Sequence, residues 1–397
     1  MSLKTIVIVG ASLGGLRSVQ ALRRLGFDGK LIAIGDEPRM PYDRPPLSKE
    51  VLAGKWDATR AGLMRPADDA LAVEWRLGTR AEALDLAARE VVLLSGERVA
   101  YDGLVIATGS GARRIPNTPP LAGIHVLRTL DDALALRGEL ERGPRVAIIG
   151  AGFIGMEVAA TCRARGLEVS VIEALAAPLE RGLGRELGTY VGEIHRERGV
   201  ELRCGVGVAR FLGGERVAGL ELASGARIAA DVVLVGIGSA PNTSWLASSG
   251  LELADGVVCD AACFASRAAN VVAVGDVARW PNALFGEVMR IEHWTNATEQ
   301  ADHAAATLLA GESGGAPFSP VPFVWSDQYD CKLQIAGRVA PGDEQRVVDG
   351  SLAERRFAIA FGRGGRLTGA IGMNRPRAVL KLRGMIREQR AFADASV

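Results

Sequence analysis

Two glycine-rich segments constrain the fold of this chain more than any other feature. "GASLGG" at residues 10–15 follows the apolar run "TIVIV", and "GAGFIG" at residues 150–155 follows "RVAII". Each precedes apolar residues at helical spacing and then a second short apolar run that ends in an acidic residue. A strand, a glycine turn, a helix and a second strand form the βαβ unit that holds a dinucleotide pyrophosphate at the helix N-terminus. The sequence therefore predicts two dinucleotide-binding units in one chain.

The first motif departs from the G-x-G-x-x-G pattern because its middle glycine is replaced by Ser12. That position must let the backbone approach a phosphate closely, and serine is small and can itself donate a hydrogen bond to phosphate. We therefore interpret Ser12 as a functional variant; the alternative is a glycine-rich turn that binds no nucleotide. The second strand ends at Asp36 and Glu37, where a carboxylate can accept the ribose hydroxyls.

The second motif is complete, with Gly150, Gly152 and Gly155 at the three glycine positions and Glu173 at the end of the following strand. The carboxylate of Glu173 is expected to accept the ribose hydroxyls and to repel a 2′-phosphate, which favours NADH over NADPH. Arg181 follows eight residues later and weakens this preference.

Composition and cysteine usage exclude several classes of protein. The 397 residues allow two or three domains, and the formal net charge of +1 indicates no binding of nucleic acid. No stretch approaches the ~20 apolar residues of a membrane span, and we identify no targeting segment. The five cysteines include no C-x-x-C motif, and Cys259 and Cys263 have no nearby histidine, so no metal site is predicted. Few, scattered cysteines are typical of a cytoplasmic protein.

Six further segments together resemble one enzyme family. They are "DEPRMPYDRPPLSKEVLAG" from residue 36, "YDGLVIATGS" from 101, "LRTLDDA" from 127, "DVVLVGIGSAPNT" from 231, "NVVAVGDVAR" from 270 and "FVWSDQYD" from 323. The chain resembles, over nearly its whole length, the FAD-dependent NADH:ferredoxin reductases of bacterial oxygenase systems. The fold of that family is of the glutathione-reductase type.

The resemblance assigns FAD, tightly bound, to the first unit and NADH, the electron donor, to the second. For FAD it implies Gly10, Ser12, Leu13, Gly14, Gly15, Asp36, Glu37, Arg44, Lys49, Ala81, Ala107, Thr108, Gly109, Arg128, Asp276 and Trp294. For NADH it implies Gly150, Gly152, Phe153, Ile154, Gly155, Glu157, Glu173, Arg181, Gly236, Ile237 and Gly238.

Three residues are implied to take part in catalysis. The resemblance places Lys49 by the isoalloxazine ring and Trp325 beside the flavin. Glu157 is expected either to face the nicotinamide carboxamide or to pair with Lys49; otherwise it is a favourable charge at a helix N-terminus. Asp276 follows the buried-looking run "NVVAVG", before a possible helix, at the strand end where ligands collect.

The segment after the first ribose acid bears on a competing chemistry. Disulfide reductases of this fold carry two redox cysteines there, and NADH peroxidases and oxidases carry one. Here the segment reads "MPYDRPPLSKEVLAGKW", without cysteine, and we interpret Cys162 in the second unit as a core residue. We therefore expect electrons to leave the flavin directly, and the resemblance implies that they pass one at a time to a [2Fe–2S] ferredoxin. A rubredoxin reductase and a slow-turnover NAD(H) sensor or scaffold are open alternatives.

The predicted fold class is α/β, with two Rossmann-like domains and a C-terminal α+β domain. We predict an FAD-binding domain from residues 1–110 and 240–316, an NADH-binding domain from 111–239, and a third domain from 317–397. "GERVAYDGLVIATG" and "GARIAADVVLVGIG" are similar, which indicates an internal duplication.

The third predicted domain contains a hairpin with a glycine turn, "RFAIAFGRGGRLTGAIGMN", and a helix in "RAVLKLRGMIREQRAF". It carries 13 Lys and Arg against 8 Asp and Glu, a net charge of +5. Such an excess steers an acidic electron carrier towards the protein. The alternative is an ordinary charged surface.

Overall fold

A computed structural model describes residues 3–266, 268–311 and 315–397 of the chain, which forms two compact units. The first comprises Met1–Tyr42, Gly62–Gly111 and Ala240–Val324, and the second comprises Asp43–Ala61, Ala112–Ser239 and Trp325–Val397. Both units are therefore discontinuous in sequence. The boundaries of the three predicted domains stay a prediction, because compactness alone does not separate the C-terminal segment from the unit that it joins.

A five-stranded parallel sheet forms the centre of the first unit. Its strands, in spatial order, are Val271–Ala273, Gly103–Ile106, Thr5–Val9, Lys30–Ile34 and Val73–Arg76. The middle strands are buried on both faces, which is why they read as continuous β-branched and aliphatic runs. Helices Leu13–Arg24 and Trp294–Ala310 pack against each other.

Two smaller sheets complete the described part of the first unit. One is antiparallel and contains Ala81–Asp85, Glu90–Leu93 and Arg98–Ala100. The other contains Val257–Val258, Ala278–Asn282 and Glu287–Met289. The aliphatic residues of all three sheets contribute to one hydrophobic core, which includes Trp280 and Phe318.

The second unit repeats this plan. Its parallel sheet has the order Glu201–Cys204, Val169–Glu173, Val146–Ile149, Val232–Val235 and Ile124–His125. Its antiparallel sheet contains Val208–Gly213, Val217–Leu222 and Arg227–Ala229. The accompanying helices are Leu130–Leu140, Phe153–Ala164 and Glu180–Glu197.

The C-terminal segment of the second unit forms a five-stranded sheet and a helix. The strand order is Phe323–Gln328, Cys331–Gly337, Arg366–Met373, Arg356–Arg363 and Glu344–Ser351, and the helix is Pro376–Arg387. The predicted hairpin is confirmed: its turn residues Gly364 and Gly365 have φ values of +57° and +75°, which glycine adopts without steric cost. The α/β fold class with a C-terminal α+β segment is likewise confirmed.

The two similar segments occupy equivalent places in the two units. In each, the last antiparallel strand leads into a fully buried parallel strand, Gly103–Ile106 or Val232–Val235. A short strand follows, Ser110–Ala112 or Ser239–Pro241. This shared element order supports the internal duplication. Short 3₁₀ turns occupy Pro45–Ser48, Thr59–Ala61, Pro66–Leu71, Ser244–Leu246, Gly275–Val277 and Phe392–Asp394.

The helix expected after Asp276 is wrong. A single 3₁₀ turn is followed directly by the strand Ala278–Asn282. Within that strand the buried side chains alternate with more exposed ones, and Pro281 has no backbone N–H to donate within a helix. Among the described helices, none combines the length and the apolarity that a bilayer span needs.

Two glycines of the C-terminal segment provide a test of its packing. A Cβ at Gly372 would lie 2.3 Å from Cγ2 of Val379, on the helix that covers the sheet, whereas a Cβ at Gly384 would meet nothing within 4 Å. We expect Gly372→Ala to destabilise the protein by about 1–3 kcal/mol through overpacking. We expect Gly384→Ala to stabilise it by up to about 1 kcal/mol, because alanine is the better helix former. Chemical denaturation of the full chain measures both; equal effects would contradict the observed packing.

Candidate functional site

The first glycine loop is built on close backbone contacts. Gly10 follows the central strand Thr5–Val9 with a φ of +120°, and a Cβ there would lie 2.1 Å from the carbonyl oxygen of Ala107. A Cβ at Gly15 would lie 1.9 Å from the carbonyl oxygen of Gly10. No side chain fits at either position, so these two glycines are required for the turn and for packing the helix on the sheet.

The middle position of each loop is sterically open. Ser12 is the N-cap of helix Leu13–Arg24, with a φ of −119°, and its hydroxyl forms no capping hydrogen bond. Gly152 is the N-cap of helix Phe153–Ala164, with a φ of −77°, and a Cβ there would meet nothing within 4 Å. The protein itself therefore does not require glycine at this position, which is why the first loop accommodates serine. The hydroxyl of Ser12 lies at a helix N-terminus, where it can add a donor for a phosphate.

The second unit brings its glycine loop and its acidic residue into direct contact. The backbone N–H of Ala151 donates to Oε2 of Glu173 over 2.7 Å, and that of Leu175 donates to Oε1 over 2.8 Å. A Cβ at Gly150 would lie 2.3 Å from the carbonyl oxygen of Gly236. The loop, the carboxylate and the segment Gly236 to Gly238 therefore meet at the carboxyl ends of adjacent parallel strands, where α/β sheets bind ligands.

The first unit differs in the position of its acidic residue. The sheet register pairs Val9 with Ile34 and Ile149 with Ile172, so the residue equivalent to Glu173 is a glycine, Gly35. A Cβ at Gly35 would lie 2.6 Å from Cβ of Ala11, which excludes an acidic side chain there.

The acidic residues of the first unit follow that glycine. Asp36 is exposed, and Glu37 is half-buried and accepts a 2.5 Å hydrogen bond from the Tyr42 hydroxyl. The unequal spacing was visible in the sequence, because Asp36 lies 26 residues after Gly10 whereas Glu173 lies 23 residues after Gly150.

Two polar residues that were missed from the sequence contact predicted FAD residues of the first unit. Ser110 donates to Oδ2 of Asp276 over 2.8 Å. The side-chain amide of Asn242 donates to the carbonyl oxygen of Thr108 over 2.8 Å, and the Thr108 hydroxyl donates to the carbonyl oxygen of Asn242 over 2.9 Å. These bonds join segments more than 130 residues apart in sequence.

The other predicted residues of the first unit lie near the loop or at element ends. Trp294 begins helix Trp294–Ala310, and the Arg17 guanidinium carbon lies 5.9 Å from its ring centroid. The remaining ones are Leu13 at the start of its helix, Ala81 at the start of its strand, Gly109 at a φ of +65°, and Gly14, whose added Cβ would be in ordinary contact with Val274.

Three residues that the resemblance assigned to FAD lie in the second unit, and two of them are in contact. Nη1 of Arg44 donates to the carbonyl oxygen of Arg128 over 2.6 Å. The backbone N–H groups of Arg128 and Thr129 both donate to Oδ2 of Asp132, in the capping box of helix Leu130–Leu140. The start of this helix therefore holds the backbone of Arg128 in place.

Lys49, the third of these residues, forms a buried ion pair with Glu157. Its Nζ lies 2.8 Å from Oε2 of Glu157, and the two side chains are 14% and 7% exposed. Ser48 donates to the same oxygen over 2.5 Å, and Ser326 donates to Oε1 over 2.7 Å. From the sequence, Glu157 was expected to face the nicotinamide carboxamide or to pair with Lys49. The structure contains the pair with Lys49. Neither serine was expected to take part.

The remaining predicted residues of the second unit surround its loop or lie near this pair. Trp325 precedes Ser326 on the strand Phe323–Gln328 and is half-buried. Phe153 and Ile154 begin the helix after the loop, and Ile154 is exposed. Arg181 is exposed in the first turn of helix Glu180–Glu197, whose N-cap residue Leu179 donates to the carbonyl oxygen of Ala151.

None of the five cysteines is poised as a reactive thiolate. All five are free thiols, and none is classed as exposed. Burial raises the pKa of Cys162 and of Cys263 to about 12. Burial also raises the pKa of the other three thiols above the ordinary value: Cys204, Cys259 and Cys331. Because a reactive cysteine needs a lowered pKa, thiolate chemistry is disfavoured at all five cysteines. Cys162 is fully buried, as expected of a core residue.

Comparison with known proteins also identifies a nucleotide-dependent oxidoreductase part followed by a C-terminal part. The pyridine nucleotide-disulphide oxidoreductase family matches residues 4–301, and the reductase C-terminal family matches residues 323–397. The ferredoxin–NAD(+) reductase component of the anthranilate 1,2-dioxygenase system of Burkholderia cepacia is 38% identical, over 97% of this chain and 95% of the relative.

Two solved structures are similar over almost the whole chain. The covalent putidaredoxin reductase–putidaredoxin complex gives a TM-score of 0.92 at 33% identity, covering 98% of this chain and 94% of that one. The ferredoxin reductase for the CYP199A2 system from Rhodopseudomonas palustris also gives 0.92, at 34% identity and with 99% and 97% coverage.

The open middle position of the second loop can be tested by giving it the residue found in the first. We expect Gly152→Ser to fold normally and to keep its dinucleotide affinity within about fivefold, because the added side chain meets no protein atom. Gly155→Ala is the matched contrast: its Cβ would lie 2.1 Å from the carbonyl oxygen of Gly150. We expect it to lose more than about tenfold in affinity, because the loop must move. Calorimetric titration measures both; loss of binding in a folded Gly152→Ser protein would contradict the interpretation of Ser12.

Proposed function

Because the chain belongs to the pyridine nucleotide-disulphide oxidoreductase family, we propose that it passes electrons from NADH through FAD, one at a time, to a [2Fe–2S] ferredoxin. The ferredoxin then feeds an oxygenase, either a cytochrome P450 or a ring-hydroxylating dioxygenase. The names of the relatives support this proposal, since they are ferredoxin reductases of dioxygenase and P450 systems.

The observation that carries the proposal is that a chain with two glycine loops has five cysteines of which none is exposed. Disulfide reduction by thiol exchange needs an accessible cysteine, and its reactivity is favoured by a low pKa. Burial raises the pKa of every thiol in this chain. A relay of electrons through sulfur is therefore disfavoured, which supports direct transfer from the nucleotide sites to a partner.

The residues present fit FAD in the first unit and NADH in the second. Gly10 and Gly15 leave a side-chain-free turn at a helix N-terminus, and the Ser12 hydroxyl is free of capping bonds, as a pyrophosphate needs. In the second unit Glu173 presents its carboxylate beside the glycine loop, as a ribose diol needs. The chemistry that FAD supplies when bound is acceptance of a hydride and release of its electrons one at a time.

We assign the catalytic roles to three residues of the second unit. Lys49 presents a cation held by Glu157, and this orientation keeps its charge in one place during hydride transfer. Trp325 is assigned a place beside the flavin. No side-chain base is required for hydride transfer, because the hydrogen leaves the nicotinamide together with both bonding electrons and no proton has to be abstracted. The domain division proposed with these roles is residues 1–110 with 240–316 for FAD, 111–239 for NADH and 317–397 for the third domain.

The proposed partner is an acidic iron–sulfur protein in the cytoplasm. The net charge of +5 on residues 317–397 favours an acidic carrier by long-range attraction. Five free cysteines without a disulfide are consistent with a reducing compartment. Rubredoxin reduction and redox sensing are not favoured, since the names of the compared relatives indicate neither.

If electrons leave the flavin without passing through a thiol, alkylation of the cysteines is expected to leave turnover intact. We expect the flavin-loaded chain to reduce ferricyanide with NADH, and to keep this activity within about twofold after treatment with iodoacetamide, because high-pKa thiols react slowly. Cys162→Ala is the matched variant and is expected to behave in the same way. Loss of turnover on alkylation of the folded protein would refute direct exit, and a purified protein without a flavin absorption band would refute the proposal as a whole.

Glu173 allows the two nucleotide assignments to be separated. We expect Glu173→Ala to raise the KM for NADH by about tenfold, because it removes a charged acceptor from the ribose, and to leave the FAD content unchanged. Glu168→Ala removes an exposed carboxylate at the opposite end of the same strand and is expected to change neither. Steady-state kinetics and the flavin absorbance of the purified variants provide the measurement. Equal losses of NADH and FAD would mean that the assignments are wrong.

A further inference from the structure

A chain of buried hydrogen bonds extends from the Lys49–Glu157 pair to the surface of the second unit. Ser326 bonds Glu157 over 2.7 Å, Gln328 bonds Ser326 over 3.0 Å, His195 bonds Gln328 over 2.9 Å, and Tyr329 bonds His195 over 3.2 Å. Ser326, Gln328 and His195 are buried and Tyr329 is half-buried. None of these four residues has a role in the nucleotide sites described above.

Every donor in this chain points towards Glu157. The Ser326 hydroxyl donates to Oε1 of the carboxylate, and the amide nitrogen of Gln328 donates to that hydroxyl. The amide oxygen of Gln328 then faces Nε2 of His195, so this ring nitrogen must carry the proton. Nδ1 is left to accept from the Tyr329 hydroxyl.

The protonation states of the outer residues agree with this order. Burial lowers the pKa of His195 to about 4, with a smaller contribution in the same direction from the nearby Arg198, so the ring is neutral at pH 7. Burial raises the pKa of Tyr329 to about 12, so its hydroxyl keeps its proton. The order of donation therefore ends at the carboxylate of Glu157, which accepts from Ser326 and is paired with Lys49.

Tyr329, at the outer end of these hydrogen bonds, is held in an unusual backbone conformation. Tyr329 lies in the turn between strands Phe323–Gln328 and Cys331–Gly337 with a φ of +57°, in the left-handed region that bulky residues rarely adopt. Its ring packs edge-on against His195 and under the guanidinium of Arg198, which is also paired with Asp330. A conformation of this kind persists only where the surroundings impose it, and such positions cluster at functional sites.

We propose that Ser326, Gln328, His195 and Tyr329 are positioning residues that hold the Glu157 carboxylate aligned with Lys49. This inference rests on the proposed function, in which Lys49 and Glu157 act during hydride transfer. Reorienting Glu157 requires every bond of the chain to be remade, because the direction of each bond depends on the next. These bonds orient Glu157 and do not conduct protons, since the side-chain amide of Gln328 donates hydrogen bonds but does not release a proton at neutral pH.

The test is the rate of flavin reduction at saturating NADH, measured in a single anaerobic turnover of the flavin-loaded full chain. We expect Ser326→Ala to slow this step about tenfold, because it removes a donor to a charged acceptor. In a Glu157→Gln background the same substitution is expected to slow flavin reduction by less than about a further twofold, because the effects of residues that act as a unit are not additive. If the two substitutions instead caused independent structural defects, their effects on the rate of flavin reduction would multiply.

Two pairs of variants extend the test along the chain. His195→Leu removes the donor to Gln328 and is expected to slow reduction about threefold, whereas His195→Gln keeps an amide donor and is expected to restore the rate within about twofold. Tyr329→Phe removes the outermost hydroxyl and is expected to slow reduction by about twofold. Tyr190→Phe is its control, because it removes a tyrosine hydroxyl in the same unit that donates to the backbone carbonyl of Leu352 and takes no part in the bonds to Glu157.

The outcomes separate this inference from the proposed function. If wild-type protein binds FAD and NADH reduces it, but Ser326→Ala reduces at the normal rate or its effect multiplies with that of Glu157→Gln, only the positioning role is overturned. If wild-type flavin is not reduced by NADH, the proposed function itself fails. Should His195→Leu lose its flavin, the comparison of Ser326→Ala with and without Glu157→Gln still tests the positioning role.

Discussion

At each glycine loop a backbone carbonyl occupies the space where a side chain would begin, and the rest of the molecule depends on this contact. The carbonyl oxygen of Gly10 would lie 1.9 Å from a Cβ at Gly15, and that of Gly150 would lie 2.1 Å from a Cβ at Gly155. The contact brings the first turn of each helix onto the end of a central strand. Free N–H groups of that turn are thereby aimed at the edge of the sheet where a phosphate can bind. The middle position is outside this contact, so Ser12 and Gly152 are interchangeable for the fold and differ only in what they offer a ligand.

The Lys49–Glu157 pair adds a second constraint, which is electrostatic. Removing a carboxylate and an ammonium from water costs several kcal/mol for each ion, and mutual attraction offsets the cost only with good geometry and additional hydrogen bonds. Both oxygens of Glu157 receive such bonds, from Lys49, Ser48 and Ser326. The role that we propose for this fixed charge is in hydride transfer.

None of the five cysteines of the chain is exposed, and this bears on its chemistry. Within a family named for disulphide oxidoreduction, this chain keeps its thiols buried and of high pKa. Thiolate chemistry is thereby disfavoured at neutral pH, which agrees with the proposed transfer of electrons to an external carrier.

The sequence by itself determined the two βαβ units, the acid that follows each, and the glycine hairpin of the C-terminal segment. These features depend on spacing between near neighbours, and hydrophobic period and turn chemistry are local properties. The one local error is the possible helix after Asp276, where the structure has a strand that contains Pro281 and alternates buried with more exposed side chains. Only the tertiary structure decided which partners the charged groups have: Ser326 meets Glu157 from 169 residues away, and Ser110 meets Asp276 from 166. It also decided the register that places Gly35, and not an acid, opposite the first loop. Hydroxyl and amide groups at such distances carry no periodic signal, because their bonds form only after separate elements have packed.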